Sequence, residues 1–219
     1  STTDIEGLKK LIKEKEIDGV FCGPSEMRLI DAMNISNEVG LRFYCTKEQW
    51  NICSDKAAFK SLCRKFGVPC VPEYHISAKT LEEDIKKVKY PVIVKPVDGC
   101  SSAGMTVCWD EKQLRNAIPY AVEASHSGNV IVEKYVTSDY GFGCRYIANN
   151  GKIYLSAVND RYTVDGVGGK ALISCAAIFP SKKIDYYIRS INDNVIKMFE
   201  SIGIKNGTMF MWWTYISNA

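Results

Sequence analysis

The chain has 219 residues, of which 46% are hydrophobic and 24% charged, and a formal net charge of +3. That length suits one large domain or two small lobes, and the composition is that of an ordinary folded protein. So small a charge gives no electrostatic ground for nucleic-acid binding, and no apolar run approaches the roughly 18 residues of a membrane span. The opening STTDIEGLKKLIKEK is charged and amphipathic, unlike a secretory leader. The nine cysteines, at 22, 45, 53, 63, 70, 100, 108, 144 and 175, are odd in number and include no C-x-x-C pair. They read as reduced, mostly buried thiols of a cytoplasmic protein. With His75 and His126 as the two histidines, a zinc site would need thiolates from scattered elements and is not expected.

Ile5, Leu8, Leu11 and Ile12 recur at helical spacing and predict a helix over 4–15. IDGVFCGPSE then reads as a short buried strand and a Gly-Pro break, with Ser25 as an N-cap. A second helix runs to about Val39, and LRFYCT reads as another short strand. This α-β-α-β rhythm is that of a parallel open sheet, here the back half of one. In SDKAAFKSLCRKFGVP, Ser54 or Asp55 caps a helix whose apolar stripe is Phe59, Leu62, Cys63 and Phe66, ended by Gly67. PCVPEYHIS is extended between prolines, and 81–88 is a short charged helix.

YPVIVKPVDGCSSAGMTVC gives two strands around a loop of small residues, with Lys95 at the end of the first strand. Asp110 and Gln113 predict a helix over 111–124, which Pro119 should kink or shorten. NVIVEKYV is a buried strand. GFGCRYIANNGKIYLSAVNDRY is a hairpin about Asn-Asn-Gly, and KALISCAAIFPS a third strand. Ile188, Ile191, Val195, Met198, Phe199 and Ile202 mark a long helix before a last strand, GTMFMWWTYIS. The fold class is therefore mixed α/β (α+β). Residues 1–50 form a partial α/β lobe, 51–134 a small lobe and 135–219 an antiparallel sheet with a helix.

Glycines and serines let backbone N–H groups close on a ligand, and a lysine at the adjacent strand end adds a positive charge. VKPVDGCSSAG thus suits a polyphosphate. It is neither a Walker A loop nor a dinucleotide-binding turn, because it joins two strands. The bland alternative is a hairpin loop with a snorkelling lysine.

Taken in order, SDKAAFKSLCRKFGVPCVP, YPVIVKPVDGCSSAGM, VIVEKYV and GIKNGTMFMWWTYI resemble the ATP-grasp superfamily over nearly the whole chain. QWNICSDK and the first fifty residues lean toward proteins similar to the carbamoyl-phosphate synthase large subunit. The resemblance implies two lobes clasping ATP, preceded by part of a Rossmann-like lobe. It implies that Lys56 sits near the nucleotide and contributes positive charge, that Lys95 contacts the phosphates, and that Asp98, Gly99, Ser101, Ser102, Ala103 and Gly104 belong to a phosphate flap. Glu133, Lys134, Tyr135 and Val136 become the adenine hinge, acting through the main chain, with the Val136 N–H donating to a ring nitrogen. Ile93, Val130 and Met209 are candidate apolar walls for the base. Arg161 stands as the catalytic cation.

Three departures stand out. Tyr140 occupies the place expected for a ribose-binding acid, with Asp139 as a substitute. Arg161 stands where a lysine is common. Trp212 falls where a metal-binding glutamate is expected, and a following strand with glutamate and asparagine would lie past residue 219. The resemblance therefore implies a piece of a longer carboxylate–amine ligase working through an acyl phosphate, with Mg2+ expected for the whole protein. Its substrates would be ATP, a small carboxylate and an amine or ammonia. An exposed sheet edge in the first lobe would invite a homodimer. A second reading is a degenerate nucleotide-binding module that regulates without chemistry.

Overall fold

A computed structural model of the chain describes residues 4–22, 26–76, 81–98, 103–136, 141–164 and 173–214. Its helices begin where side chains satisfy the free N–H groups of a first turn. Asp4 caps α1 (Ile5–Glu14) by accepting from the Gly7 N–H at 2.9 Å. Helix α2 spans Glu26–Glu38. Thr46 and Gln49 form a reciprocal capping box that starts α3 (Lys47–Ser54). The sequence reading lacks this helix, although T-K-E-Q is the signature of such a box. Asp55 both ends α3 and caps α4 (Lys56–Lys65), accepting from the Ala58 N–H at 2.7 Å.

The strands expected at IDGVFCG and LRFYCT do not form. A strand exists only with a hydrogen-bonded neighbour, and neither stretch has one among the described residues. Phe21, expected inside, is 88% exposed. The described part of the first fifty residues is therefore helical, not α/β.

The first sheet contains β1 (Glu73–Tyr74), β2 (Val92–Pro96), β3 (Thr106–Cys108) and β4 (Val130–Lys134), in the order β1-β4-β2-β3 and antiparallel throughout. Helices α5 (Leu81–Ile85) and α6 (Glu111–Glu123) cover one face. Val92, Val94, Val132 and Cys108 pack there on Ile85, Leu114, Ala117 and Ala121. Pro119 does not shorten α6. It lies on the exposed side, where water can satisfy the carbonyl that a proline leaves unpaired.

The second sheet contains β5 (Gly141–Asn149), β6 (Lys152–Val164), β7 (Ile173–Ile178) and β8 (Gly207–Thr214), in the order β7-β6-β5-β8. The hairpin β5–β6 turns at the predicted Asn-Asn-Gly, with Asn150 at φ 52°. The long helix divides into α7 (Ile184–Tyr187), a π-helical turn over 188–192 and α8 (Asp193–Ile202). Phe142, Cys144 and Tyr146 of β5 and Met209 and Met211 of β8 pack on Val195, Met198 and Phe199 of α8. Each fully buried side chain of this size contributes about 1.5–3 kcal/mol. The buried Tyr146 hydroxyl meets that of Tyr187 and donates to Asn192 Oδ1 at 2.9 Å, so these polar atoms are satisfied.

Helix α4 serves both sheets. Cys63 sits in the core of the second sheet, with Phe59, Leu62 and Phe66 packed against it, while its charged side reaches the first sheet. Gln49 of α3 donates to the Ile202 carbonyl at the end of α8, at 3.2 Å.

The described cysteines are all free. Burial pushes the Cys63 and Cys144 thiols up to about 12, and those of Cys53 and Cys108 up to about 11. Since the thiolate is the nucleophile, brief iodoacetamide treatment at pH 8 should label exposed Cys175 and leave Cys63, Cys108 and Cys144 unmodified by peptide mass mapping. Labelling of those three at the rate of Cys175 would contradict this core.

Candidate functional site

Alternation along β2 puts Val92 and Val94 into the core and leaves Ile93 and Lys95 on the other face. The register pairs Ile93 with Glu133 and Lys95 with Ile131, so Glu133 and Ile131 share that face. Glu133 is 5% exposed. Its carboxylate lies 2.5 Å from Lys95 Nζ and 2.6 Å from Lys60 Nζ. Lys60 also donates to the Val71 carbonyl at 2.9 Å and pairs with Glu73 at 3.2 Å, and Arg64 closes the chain on Glu73. Three acceptors match the three N–H bonds of an ammonium.

Burial pushes the Glu133 carboxyl up, but Lys95 and Lys60 outweigh it and hold it below the usual carboxylate range. In this relay three cations face two carboxylates, so positive charge remains in surplus. Lys56, Lys60 and Arg64 stand at successive i, i+4 positions and form one basic edge of α4. Sequence reasoning found Lys56 but missed Lys60; that spacing was the available signal. It also assigned Glu133 to the hinge through its main chain, with a solvent-facing side chain as the alternative. The structure buries that side chain as a counter-ion.

The far end of β2 is tied to the same helix. The Lys56 N–H donates to the Val97 carbonyl at 3.0 Å, and Lys56 Nζ reaches the same oxygen at 3.4 Å. Asp98 follows. Its carboxylate accepts from the Ser125 hydroxyl at 2.8 Å, the His126 N–H at 3.2 Å and the Ser127 N–H at 2.8 Å. Burial raises its pKa, but these hydrogen bonds prevail and bring it to about 2. Asp98 thus anchors the root of the loop to the turn before β4. Gly104 marks the other root: its φ is +69°, and a Cβ there would meet Ala124 Cβ at 2.5 Å and Pro96 Cγ at 2.8 Å. Ala103 is exposed beside it. Gly99, Ser101, Ser102 and Asp139 lie outside the described residues.

At the hinge, the Lys134 N–H donates to Pro72 at 2.9 Å and the Tyr135 N–H to Pro91 at 3.0 Å. Among the described residues no group accepts from the Val136 N–H. Tyr135 meets Trp109 edge-on at 6.2 Å. Of the three suggested walls, Ile93 shares the face of Lys95. Val130 lies on the opposite face, against the α6 core. Met209 is in the core of the second sheet.

Arg161 lies on the face of the second sheet away from α8. Its guanidinium stacks on Trp212 at 4.7 Å. Burial pulls its pKa down, and its Nε is buried without a hydrogen-bond partner. On the same face Arg145 sits between Phe179 and Phe210, at 4.8 and 5.0 Å, and donates to Asn159. Gly143 makes this arrangement possible: a Cβ there would meet Asn159 Oδ1 and Trp212 Cζ3, both at 2.9 Å. Magnesium needs hard oxygen ligands. Trp212 offers none, and among the described residues no group of three His, Cys, Asp or Glu could hold a metal ion. This donor set does not fit the divalent cation that the resemblance implies.

Two four-stranded antiparallel sheets, a lysine strand with its small-residue loop and a hinge strand define an ATP-grasp fold. Solved structures agree. Biotin carboxylase from Campylobacter jejuni, in its β,γ-ATP complex, superposes with a TM-score of 0.75 at 23% identity, over 95% of this chain and 48% of that one. The biotin carboxylase domain of Hydrogenobacter thermophilus 2-oxoglutarate carboxylase, solved with MgADP, ADP and bicarbonate, gives 0.73 at 21% identity, over 95% and 47%. Residues 55–209 match the family described as carbamoyl-phosphate synthase L chain, ATP binding domain, and the chain belongs to that family. Among its relatives, the carbamoyl phosphate synthase large chain of Pyrococcus furiosus is 38% identical over 85 residues, 37% of this chain and 8% of that protein. The C-terminal section of the Aquifex aeolicus enzyme is 23% identical over 208 residues, 91% of this chain and 37% of that one. The chain thus spans well under half of either relative.

Two outcomes test the site's electrostatics. Lys60→Ala leaves Glu133 with one cation instead of two and should cost about 2–3 kcal/mol in urea unfolding. A loss below about 0.5 kcal/mol would show that the relay adds nothing to stability. The folded pKa of Asp98 is depressed, so its contribution is complete above the unfolded value of about 3.9 and fades as pH falls toward about 2. Asp98→Asn should therefore lower the melting temperature at pH 6 and converge on wild type as the pH approaches 2. A constant gap down to pH 2 would contradict it.

Proposed function

We propose that this chain is the ATP-binding portion of an ATP-dependent ligase that joins a small carboxylate to an amine or ammonia through an acyl phosphate. The observation that carries the reading is the convergence at one end of β2. Lys95 is held by the buried Glu133, and Lys56 reaches the Val97 carbonyl, two residues past Lys95. That end opens into the small-residue loop. A polyphosphate arriving there would meet ammonium groups already positioned and partly desolvated, where charge–charge attraction is stronger than in open water. The Val136 N–H would read the adenine edge.

In this reading Gly99, Ser101 and Ser102 close over the phosphates, Asp139 contacts the ribose, and Arg161 steadies the transferring phosphoryl group. Closure would keep water from the acyl phosphate. The relatives' names support the reaction class, since they include carbamoyl phosphate synthases and a 2-oxoglutarate carboxylase subunit. A cytoplasmic location fits the free thiols. A homodimer belongs to the same reading, the related 2-oxoglutarate carboxylase domain having been solved as one. Mg2+ belongs to this reading as an expectation for the whole protein, whose ligands would have to come from outside the described residues.

One observation favours the second reading, a nucleotide-binding module without chemistry. Trp212, stacked on Arg161, fills the strand position expected for a carboxylate.

Calorimetric titration with ADP tests the common core of both. Lys95→Ala removes a charge-assisted contact of about 1.5–3 kcal/mol and should weaken binding about 10- to 150-fold. Equal affinity for variant and wild type would remove Lys95, and with it the loop, from the site. ADP formation by the whole protein that depends on both a carboxylate and an amine would separate the ligase from the silent module.

A further inference from the structure

On the outer face of the second sheet, Arg145 and the rings of Phe179, Phe210 and Trp212 join the Arg161 to which the family resemblance gives a role. By register Gly141 and Gly143 of β5 stand opposite Arg161 and Asn159 of β6 and beside Thr214 and Trp212 of β8, and Arg145 stands opposite Ala157 and beside Phe210. Strand alternation therefore presents Arg145, Asn159, Arg161, Phe210 and Trp212 together. Phe210 and Trp212 are 44% and 45% exposed. We propose that this face holds the phosphates of a nucleoside polyphosphate directly, through Arg161 and Arg145 and without a divalent cation; the nucleotide itself rests on the function proposed above.

Four observations carry it. Each guanidinium lies over aromatic rings that brace it, and although Arg145 spends one N–H on Asn159, the remaining N–H groups are left to meet phosphate oxygens. Among the described residues neither Arg145 nor Arg161 has a carboxylate within ion-pair distance, whereas Arg28 and Arg64 each hold one and Arg115 holds two. Arg161 Nε is a buried donor without a partner, a costly condition that an incoming oxyanion would relieve. Gly143 clears the space that lets Asn159 and Trp212 approach. Two guanidinium groups complement an anion and repel a free Mg2+. Arg161 also lies near the hinge: only four residues separate its partner Gly141 from Val136, a span of at most about 18 Å.

The test is calorimetry on this chain with ADP and, separately, inorganic tripolyphosphate, each in EDTA and in excess Mg2+. The proposal expects both ligands to bind in EDTA. It expects Mg2+ to weaken tripolyphosphate at least threefold, because the cation cancels charge that the arginines use. Arg161→Gln and Arg145→Gln should each weaken both ligands about tenfold or more, with melting curves confirming that the variants are folded. If a variant fails to fold, the comparison of EDTA with Mg2+ on the unaltered chain still decides. A requirement for Mg2+, no binding of either ligand in EDTA, or folded arginine variants that bind like wild type would overturn the proposal. ADP binding lost in Lys95→Ala but intact in both arginine variants would overturn it while leaving the nucleotide reading standing. Arginine-dependent tripolyphosphate binding with no added affinity for ADP would sink the adenine reading and leave the anion face in place.

Discussion

A carboxylate buried between two ammonium groups sets the geometry of everything around it. Alone, Glu133 could not stay ionised at 5% exposure, because desolvation of a single charge costs several kcal/mol. With Lys95 on one oxygen and Lys60 on the other, the charge is compensated and each side chain loses its freedom. The arrangement adds little net stability compared with an apolar core of the same volume. What it supplies is position. Lys95 is held on the face it must present, and α4 is held against a sheet whose core it does not join. The extra cations keep the region electropositive after Glu133 and Glu73 have taken their share.

The second sheet solves a different problem. Its inner face is a conventional core of aromatic and methionine side chains on α8. Its outer face combines cations with exposed rings, a pairing that would be unstable if the guanidinium groups had neither rings nor polar partners. Stacking supplies the first and Asn159 part of the second. The absent side chain at Gly143 belongs to the same design: a methyl group there would displace the Trp212 ring or the Asn159 amide. The two sheets thus offer positive charge in two chemical forms, compact ammonium on one and planar guanidinium on the other.

Much of this was legible in the residues, for identifiable reasons. Elements fixed by local chemistry were found: α4 and α6 from their capping aspartates, the β5–β6 hairpin from Asn-Asn-Gly, and β2 and β4 from short apolar runs. The strands expected before residue 47 failed because pairing is not local. A run such as IDGVFCG carries the right side chains and still needs a neighbour to bond with. Within the site, Lys95 and Lys56 could be read because they sit next to a loop with an evident use. Lys60 looked like any surface lysine until Glu133 was seen facing it. Val130 was misplaced by one residue of strand parity, a slip that moves a side chain to the opposite face. Arg145 gave no signal at all, because its meaning lies in Phe179 and Phe210, far away in sequence.

The single residue Asp55, which closes α3 and opens α4, leaves no slack between those helices. They behave as one bent rod. One arm is fastened by Gln49 to the last carbonyl of α8, and the corner is fastened through Lys56 to Val97 at the loop root. A rod pinned at both places cannot follow one attachment without loading the other. Any rocking of α8 against its sheet therefore pulls on the base of the small-residue loop, and the loop cannot be shifted at its root without straining a helix cap some forty residues earlier in the chain.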